Sequence, residues 1–162
     1  MAYTIDLLGD IRHRYMALAT VHSMGDKSSM PDIMTLFDTG AFNTMIDIDH
    51  AKKYGAMLNM PVPVVIGGHS GIAEGCILWK VSFGDFHMER VFALAYPFED
   101  WLSQHIIIGT NVTNNWEYMT SRTKNIITLE ECVPADAPNQ IYPYQNYFRK
   151  GKYIAVQDDF MP

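Results

Sequence analysis

The chain is made of short β-prone apolar runs, most of them closed within a few residues by glycine, proline or asparagine. Residues 15–21, 33–37, 44–48, 62–66, 77–83, 86–95, 106–108 and 125–129 all read as strands, from β-branched and aromatic content or from period-two alternation. Pro63 within 62–66 suits an edge strand, because proline cannot donate to a ladder. Residues 106–108, three isoleucines, read as a short, fully buried strand. Helices are few. Asp49 is placed to cap one over 51–54 that Gly55 would end, and Thr110 or Asn111 to cap another running to about Tyr118. Residues 25–31 read as a loop, 83–86 as a hairpin turn and 97–103 as a loop. Many short strands with few helices indicate an all-β, barrel-like domain with one or two short helices.

With 162 residues the chain suits one domain with a real core. That domain is expected over 1–133, followed by a tail over 134–162 that has no clear periodicity and is expected to pack on it. The formal charge of −6, with Lys52-Lys53 and Arg149-Lys150 as the adjacent basic pairs, argues against nucleic acid as a partner. No apolar run of about 18 residues occurs, so no membrane partner is expected. Residues 1–10 carry Asp6 and lack the basic-then-apolar order of a secretory signal.

Two cysteines, Cys76 and Cys132, are too few for a disulfide framework. Both are expected to be reduced in a cytoplasmic protein, where the sequon Asn111-Val112-Thr113 is incidental. The six histidines show no ligand-like spacing, so neither a metal nor any other cofactor is expected.

Chemistry concentrates around Asp38. The run 33–37 delivers it at a strand end, and Thr39-Gly40 breaks the strand there, leaving a carboxylate beside a turn that a substrate backbone can approach. Downstream, Gly67-Gly68-His69-Ser70-Gly71 places three glycines at the tip of a β-hairpin. It is either an ordinary surface hairpin or a flap closing over a bound chain. Third comes Ile106-Ile107-Ile108-Gly109-Thr110-Asn111.

Leu36-Phe37-Asp38-Thr39-Gly40-Ala41, the glycine-rich tip and the isoleucine-glycine strand, in that order, resemble the retropepsins, the retroviral-type aspartic proteases and their cellular and bacterial relatives. The resemblance spans about residues 13–129. It implies a closed β domain with one catalytic aspartate per chain, working as a homodimeric endopeptidase on peptide or polypeptide substrates. A single Asp-Thr-Gly per chain agrees, since this chemistry needs two carboxylates.

The resemblance makes Asp38, Thr39 and Gly40 the catalytic set. Thr39 would donate a hydrogen bond across the dimer axis, and Gly40 would offer its carbonyl to the substrate backbone. Ala41, Gly67, Gly68, His69, Gly71 and Ile107 would meet the substrate. Ile107 reads equally as core, and His69 also reads as an exposed bystander. Viral enzymes often pair an Asp two residues after the catalytic glycine with an Arg directly after the later glycine; here those positions are Phe42 and Thr110. Both partners are absent together, so no buried charge is stranded and packing stands in for the ion pair. A second reading keeps the fold as a dimeric peptide-binding or scaffolding module with little or no turnover. A third takes Asp-Thr-Gly as a chance turn in an unrelated β protein.

Overall fold

A computed structural model describes residues 3–9, 15–66, 68–98, 105–121 and 123–132, without the side chains of 131 and 132. Gly67, the loop residues 99–103 and the tail over 134–162 lie outside the described residues. Ten strands and two short α-helices follow in the order β1 (Tyr3–Asp6), β2 (Tyr15–His22), β3 (Ser29–Phe37), β4 (Met45–Asp47), α1 (Ile48–Tyr54), β5 (Gly55–Ile66), β6 (His69–Phe83), β7 (Phe86–Tyr96), β8 (Ile106–Ile108), α2 (Thr110–Thr113), β9 (Trp116–Ser121) and β10 (Ile126–Cys132).

Seven strands form one sheet in the order β2-β3-β8-β4-β7-β6-β5, and β2 also pairs with β6. That pairing, Thr20 to Ser82 and Val21 to Val81, closes six strands into a barrel and leaves β5 outside it as an edge. At the seam His22 Nε2 lies 2.8 Å from Ser82 Oγ, while its Nδ1 lies 3.3 Å from Asp26, which also meets Lys80. The all-β, closed-barrel expectation is met.

Side chains alternate between two apolar layers, as the pleat requires. Ile106 and Ile108 point into the barrel with Ala17, Ile33, Phe37, Ile46, Cys76 and Leu78. Ile107, with Met45, Ile77, Phe92 and Leu94, points outward and is covered by Leu58, Met60 and Val62 of β5. The long β5–β6 hairpin therefore folds back over the barrel wall and buries its outer face. A separate sheet, β1-β10-β9, contributes Ile5, Trp116, Ile127 and Leu129 to the inner layer. Phe37 carries the contact, with its ring 5.3 Å from Phe83 and 6.2 Å from Trp116.

Several boundaries differ from the sequence expectation. β3 begins at Ser29, inside the expected loop, because Met30 pairs with Val21 and Ser29 with His22 beyond a bulge. Asp32 in that bulge takes φ 59°. β4 is shorter than 44–48, and Met45 and Ile46 are both buried in a strand paired on both edges, with Thr44 buried just before it. α1 starts at Ile48, so Asp49 lies in its first turn and Asp47 holds the N-cap position. Gly55 ends α1 in extended backbone and starts β5 directly. α2 is a single turn and does not reach Tyr118, because the chain from Trp116 joins the small sheet, where the indole packs on Phe37 and Phe86.

Candidate active site

β8 lies between β3 and β4, parallel to one and antiparallel to the other. The chain linking β3 to β4, residues 38–44, must therefore cross the end of β8. Asp38 stands where that crossing begins. Its backbone N–H donates to Ile108 O (3.0 Å), extending the parallel ladder by one rung. Its carbonyl accepts from Ala41 N–H (3.2 Å), and its Oδ1 accepts from Gly40 N–H (2.8 Å). The turn thus fixes one carboxylate oxygen; the other makes no hydrogen bond among the described residues. Asp38 is half-buried, while Thr39 and Gly40 are exposed.

The crossing is tied down from beneath. Thr110 N–H donates to Ala41 O and Asn111 N–H to Phe42 O, each at 2.8 Å. The Asn111 carboxamide is buried and acts as a knot. Its Oδ1 accepts from Thr44 N–H (2.8 Å) and Thr44 Oγ1 (2.9 Å), and its Nδ2 donates to Phe92 O (3.1 Å). Thr44 Oγ1 in turn accepts from Gly109 N–H at 3.1 Å. A Cβ on Gly109 would sit 2.5 Å from the Asn43 carbonyl carbon, so the crossing requires glycine there. Asn111, Val112 and Thr113 are all buried, and with its amide spent inside the fold Asn111 does not present a glycosylation site.

Of the other sequence-predicted residues, Ala41 and Ile107 lie beside this crossing, and Gly68, His69 and Gly71 lie along the β5–β6 hairpin. Ala41 packs on the outer apolar layer together with Val64, Ile66 and Tyr96, which puts it on the face covered by the long hairpin. Ile107 is 8% exposed in that same layer, so it is a core residue of the hairpin-facing wall and not of the barrel interior. Gly68 at the hairpin tip takes φ 82°, a left-handed conformation that glycine adopts without strain. Gly71 does not. It is needed for space, because a Cβ there would collide with the hydroxyl and ring of Tyr96. His69 is exposed and opens β6, opposite Ile66. Phe42, where viral enzymes carry a charge, is 51% exposed.

Two features were not anticipated. A cavity of about 220 Å³ opens beside Asp38 and Thr39 on the side away from the hairpin, lined by Tyr15, Phe37, Trp116 and Tyr118 among others. At the far end of β4 and β8, Asp47, His50 and His105 come together, with the His50 and His105 rings 5.4 Å apart and edge-on. Burial holds the His50 imidazole below its ordinary pKa; Asp47 opposes that shift and His105 adds to it. Pairing across strands is invisible to sequence spacing, although Asp47-x-x-His50 is itself legible.

The closed six-stranded barrel with a folded-back hairpin is a retropepsin-like fold. Among solved structures, a retropepsin-like aspartic protease from Rickettsia conorii matches with a TM-score of 0.50 and 15% sequence identity, over 80% of this chain and 89% of that one. At that identity the likeness establishes the fold. No family profile matches the chain. No curated protein matches it either.

Proposed function

We propose that the chain is an aspartic endopeptidase that works as a homodimer, each copy supplying one Asp38. The observation that carries this reading is Asp38 itself: a half-buried carboxylate on a strand end, pinned through one oxygen by Gly40 N–H, in a retropepsin-like fold. With one Asp-Thr-Gly per chain, a second carboxylate must come from a second copy. The exposure of Thr39 and Gly40 leaves the turn accessible to it.

The chemistry follows from the pairing. Two carboxylates about 3 Å apart cannot both ionise, so the pair shares one proton. The ionised Asp38 takes a proton from a water whose oxygen attacks the peptide carbonyl carbon, while the protonated Asp38 of the partner subunit donates to the carbonyl oxygen. The tetrahedral diol then collapses as the amide nitrogen is protonated and the C–N bond breaks. The long hairpin acts as the flap, and the partly buried Ala41, Val64 and Ile66 supply an apolar wall for hydrophobic substrate side chains, with Ile107 packed beneath them.

The test is digestion of a peptide library by the purified chain, with and without pepstatin. Cleavage should follow a bell-shaped pH profile on the acidic side of neutrality. Specific activity should fall on dilution below the dimer dissociation constant. Asp38→Asn keeps the shape, removes the base, and should lower cleavage at least about a thousandfold while leaving dimer and peptide binding intact. Cleavage by Asp38→Asn at the wild-type rate would overturn the aspartic mechanism. Absence of cleavage by the wild type at any pH, with peptide binding retained, would favour the binding-module reading.

A further inference from the structure

The second cluster, Asp47, His50 and His105, lies outside the chemistry just described. Its three ligand-capable atoms all fall within 4.8 Å of one another. Two independent constraints bring them together. Asp47 is the last residue of β4 and His50 stands in the first turn of α1, three residues on, where i,i+3 side chains share a face. His105 arrives from across the sheet, one residue before β8, and its carbonyl accepts from Asp47 N–H at 2.9 Å. The β4–β8 ladder therefore fixes the backbones of two of the three residues next to each other.

The Asp47 side chain is oriented as well. Its Oδ1 accepts from Phe98 N–H at 3.0 Å, the outer-shell support that ligating carboxylates ordinarily receive, and its second oxygen makes no hydrogen bond among the described residues. It makes no side-chain capping bond to α1, although it holds the N-cap position where an aspartate commonly does so.

We propose that Asp47, His50 and His105 bind a single zinc ion, with solvent completing the coordination. Two imidazoles and one carboxylate suit a borderline ion such as Zn(II), and do not suit magnesium or calcium, which take oxygen ligands. Zinc–ligand bonds of about 2.0–2.2 Å put tetrahedral donors roughly 3.4 Å apart. Side-chain rotations moving the donors by about 1 Å close the set from the observed spacing. His105 is exposed, so the ion can enter from solvent.

The site stands apart from the Asp38 chemistry. Phe37 pairs with Ile108 and Thr35 with Ile106, so Asp38 and His105 flank opposite ends of one ladder, at least about 10 Å apart at strand rise. An ion held at His105 cannot touch a peptide bond at Asp38. It would instead clip the start of β8 to α1, at the opposite end of the strand from the Gly109–Asn111 knot.

The experiment uses the full chain stripped of metal by chelator and titrated with Zn(II) against a chromophoric competitor, beside thermal melts. Binding of one equivalent per chain is expected, with a rise in Tm of several degrees that Mg(II) does not reproduce. His50→Gln and His105→Gln should each weaken binding at least about tenfold and remove the rise in Tm. His87→Gln, an exposed histidine on β7, should change neither. Wild-type protein loaded with Co(II) should show the visible bands of a four- or five-coordinate nitrogen–oxygen site, a readout that needs no variant to fold. Binding that survives in the His50→Gln/His105→Gln double variant, or a Co(II) spectrum no different from the aquo ion, would overturn the assignment. None of these measurements depends on peptide cleavage, so their failure and that of the protease reading are separable.

Discussion

The Asp38 turn and the tip of the long hairpin are both glycine-bearing bends at strand ends, yet they are held by opposite means. The turn is bonded from three directions: Ile108 O receives the Asp38 N–H, Ala41 and Phe42 carbonyls receive the N–H groups of Thr110 and Asn111, and the Asn111 amide binds Thr44. Among the described residues the tip makes no polar bonds beyond the β5–β6 ladder, and only its inner side, through Val64 and Ile66, meets the outer apolar layer. β5 is an edge strand, and Val65 and Ile72 near the tip are more than 70% exposed. Buried polar bonds lock geometry because each broken one leaves a desolvated group unsatisfied. A two-stranded ribbon with one face open to solvent opens at less cost. The turn is therefore rigid and the tip yielding, which on the proposed function suits a carboxylate that must be placed accurately and a cover that must lift.

The contrast breaks most directly at Asn111. Asn111→Ala removes the acceptor of the buried Thr44 N–H and hydroxyl and one donor to the Phe92 carbonyl, and should cost about 3 kcal/mol of stability. Urea denaturation followed by circular dichroism would measure it; a loss below about 1 kcal/mol would mean that water replaces the amide and that the turn is less rigidly held than its bonds imply.

A smaller effect is expected part-way along the hairpin. Gly71→Ala places a methyl group against the Tyr96 ring, which must rotate away, at a cost of about 1–2 kcal/mol. In a double-mutant cycle Tyr96→Ala should recover most of that loss. Without recovery, Gly71 is required by the strand itself and not by the contact.

The strands were legible because alternation and β-branching report burial directly, as in Ile106-Ile107-Ile108. What escaped was pairing between distant segments. β1 has a single fully buried side chain, Ile5, and owes its existence to register with residues 126–129 of β10. The truncation of α2 follows from Trp116 being claimed by Phe37 and Phe86, neighbours far away in sequence. Asp38 was readable as a strand-end carboxylate. The Asn111 knot beneath it was not, since an asparagine after Gly109-Thr110 reads locally as a helix cap. Gly71 was legible only as part of a glycine-rich tip; that it is needed for space depends on Tyr96 packing against it from another strand. The meeting of His50 with His105 depends on β8 inserting between β3 and β4, a topology that no local spacing encodes.

The sharpest test of the yielding end is also the smallest in stability. Gly68 has open space around the position of a Cβ, so a side chain there meets no steric clash. Its φ of 82° is the obstacle, because a β-branched residue is strongly disfavoured in that region. Gly68→Val should therefore cost the fold only about 1–2 kcal/mol, absorbed by rearrangement of a tip that little else depends on. Far-ultraviolet circular dichroism and the elution volume should match the wild type. The rearranged tip would no longer close as the native one does, so on the proposed function kcat should fall several-fold or more while Asp38 and its bonds stay in place. Native-state hydrogen exchange would localise the change: amides at 66–70 should exchange faster, and those at 108–111 should be unaltered. Normal cleavage by Gly68→Val would reduce the tip to a surface turn. Loosening at 108–111 would show that tip and turn are one cooperative unit, and the division into a rigid and a yielding end would be lost.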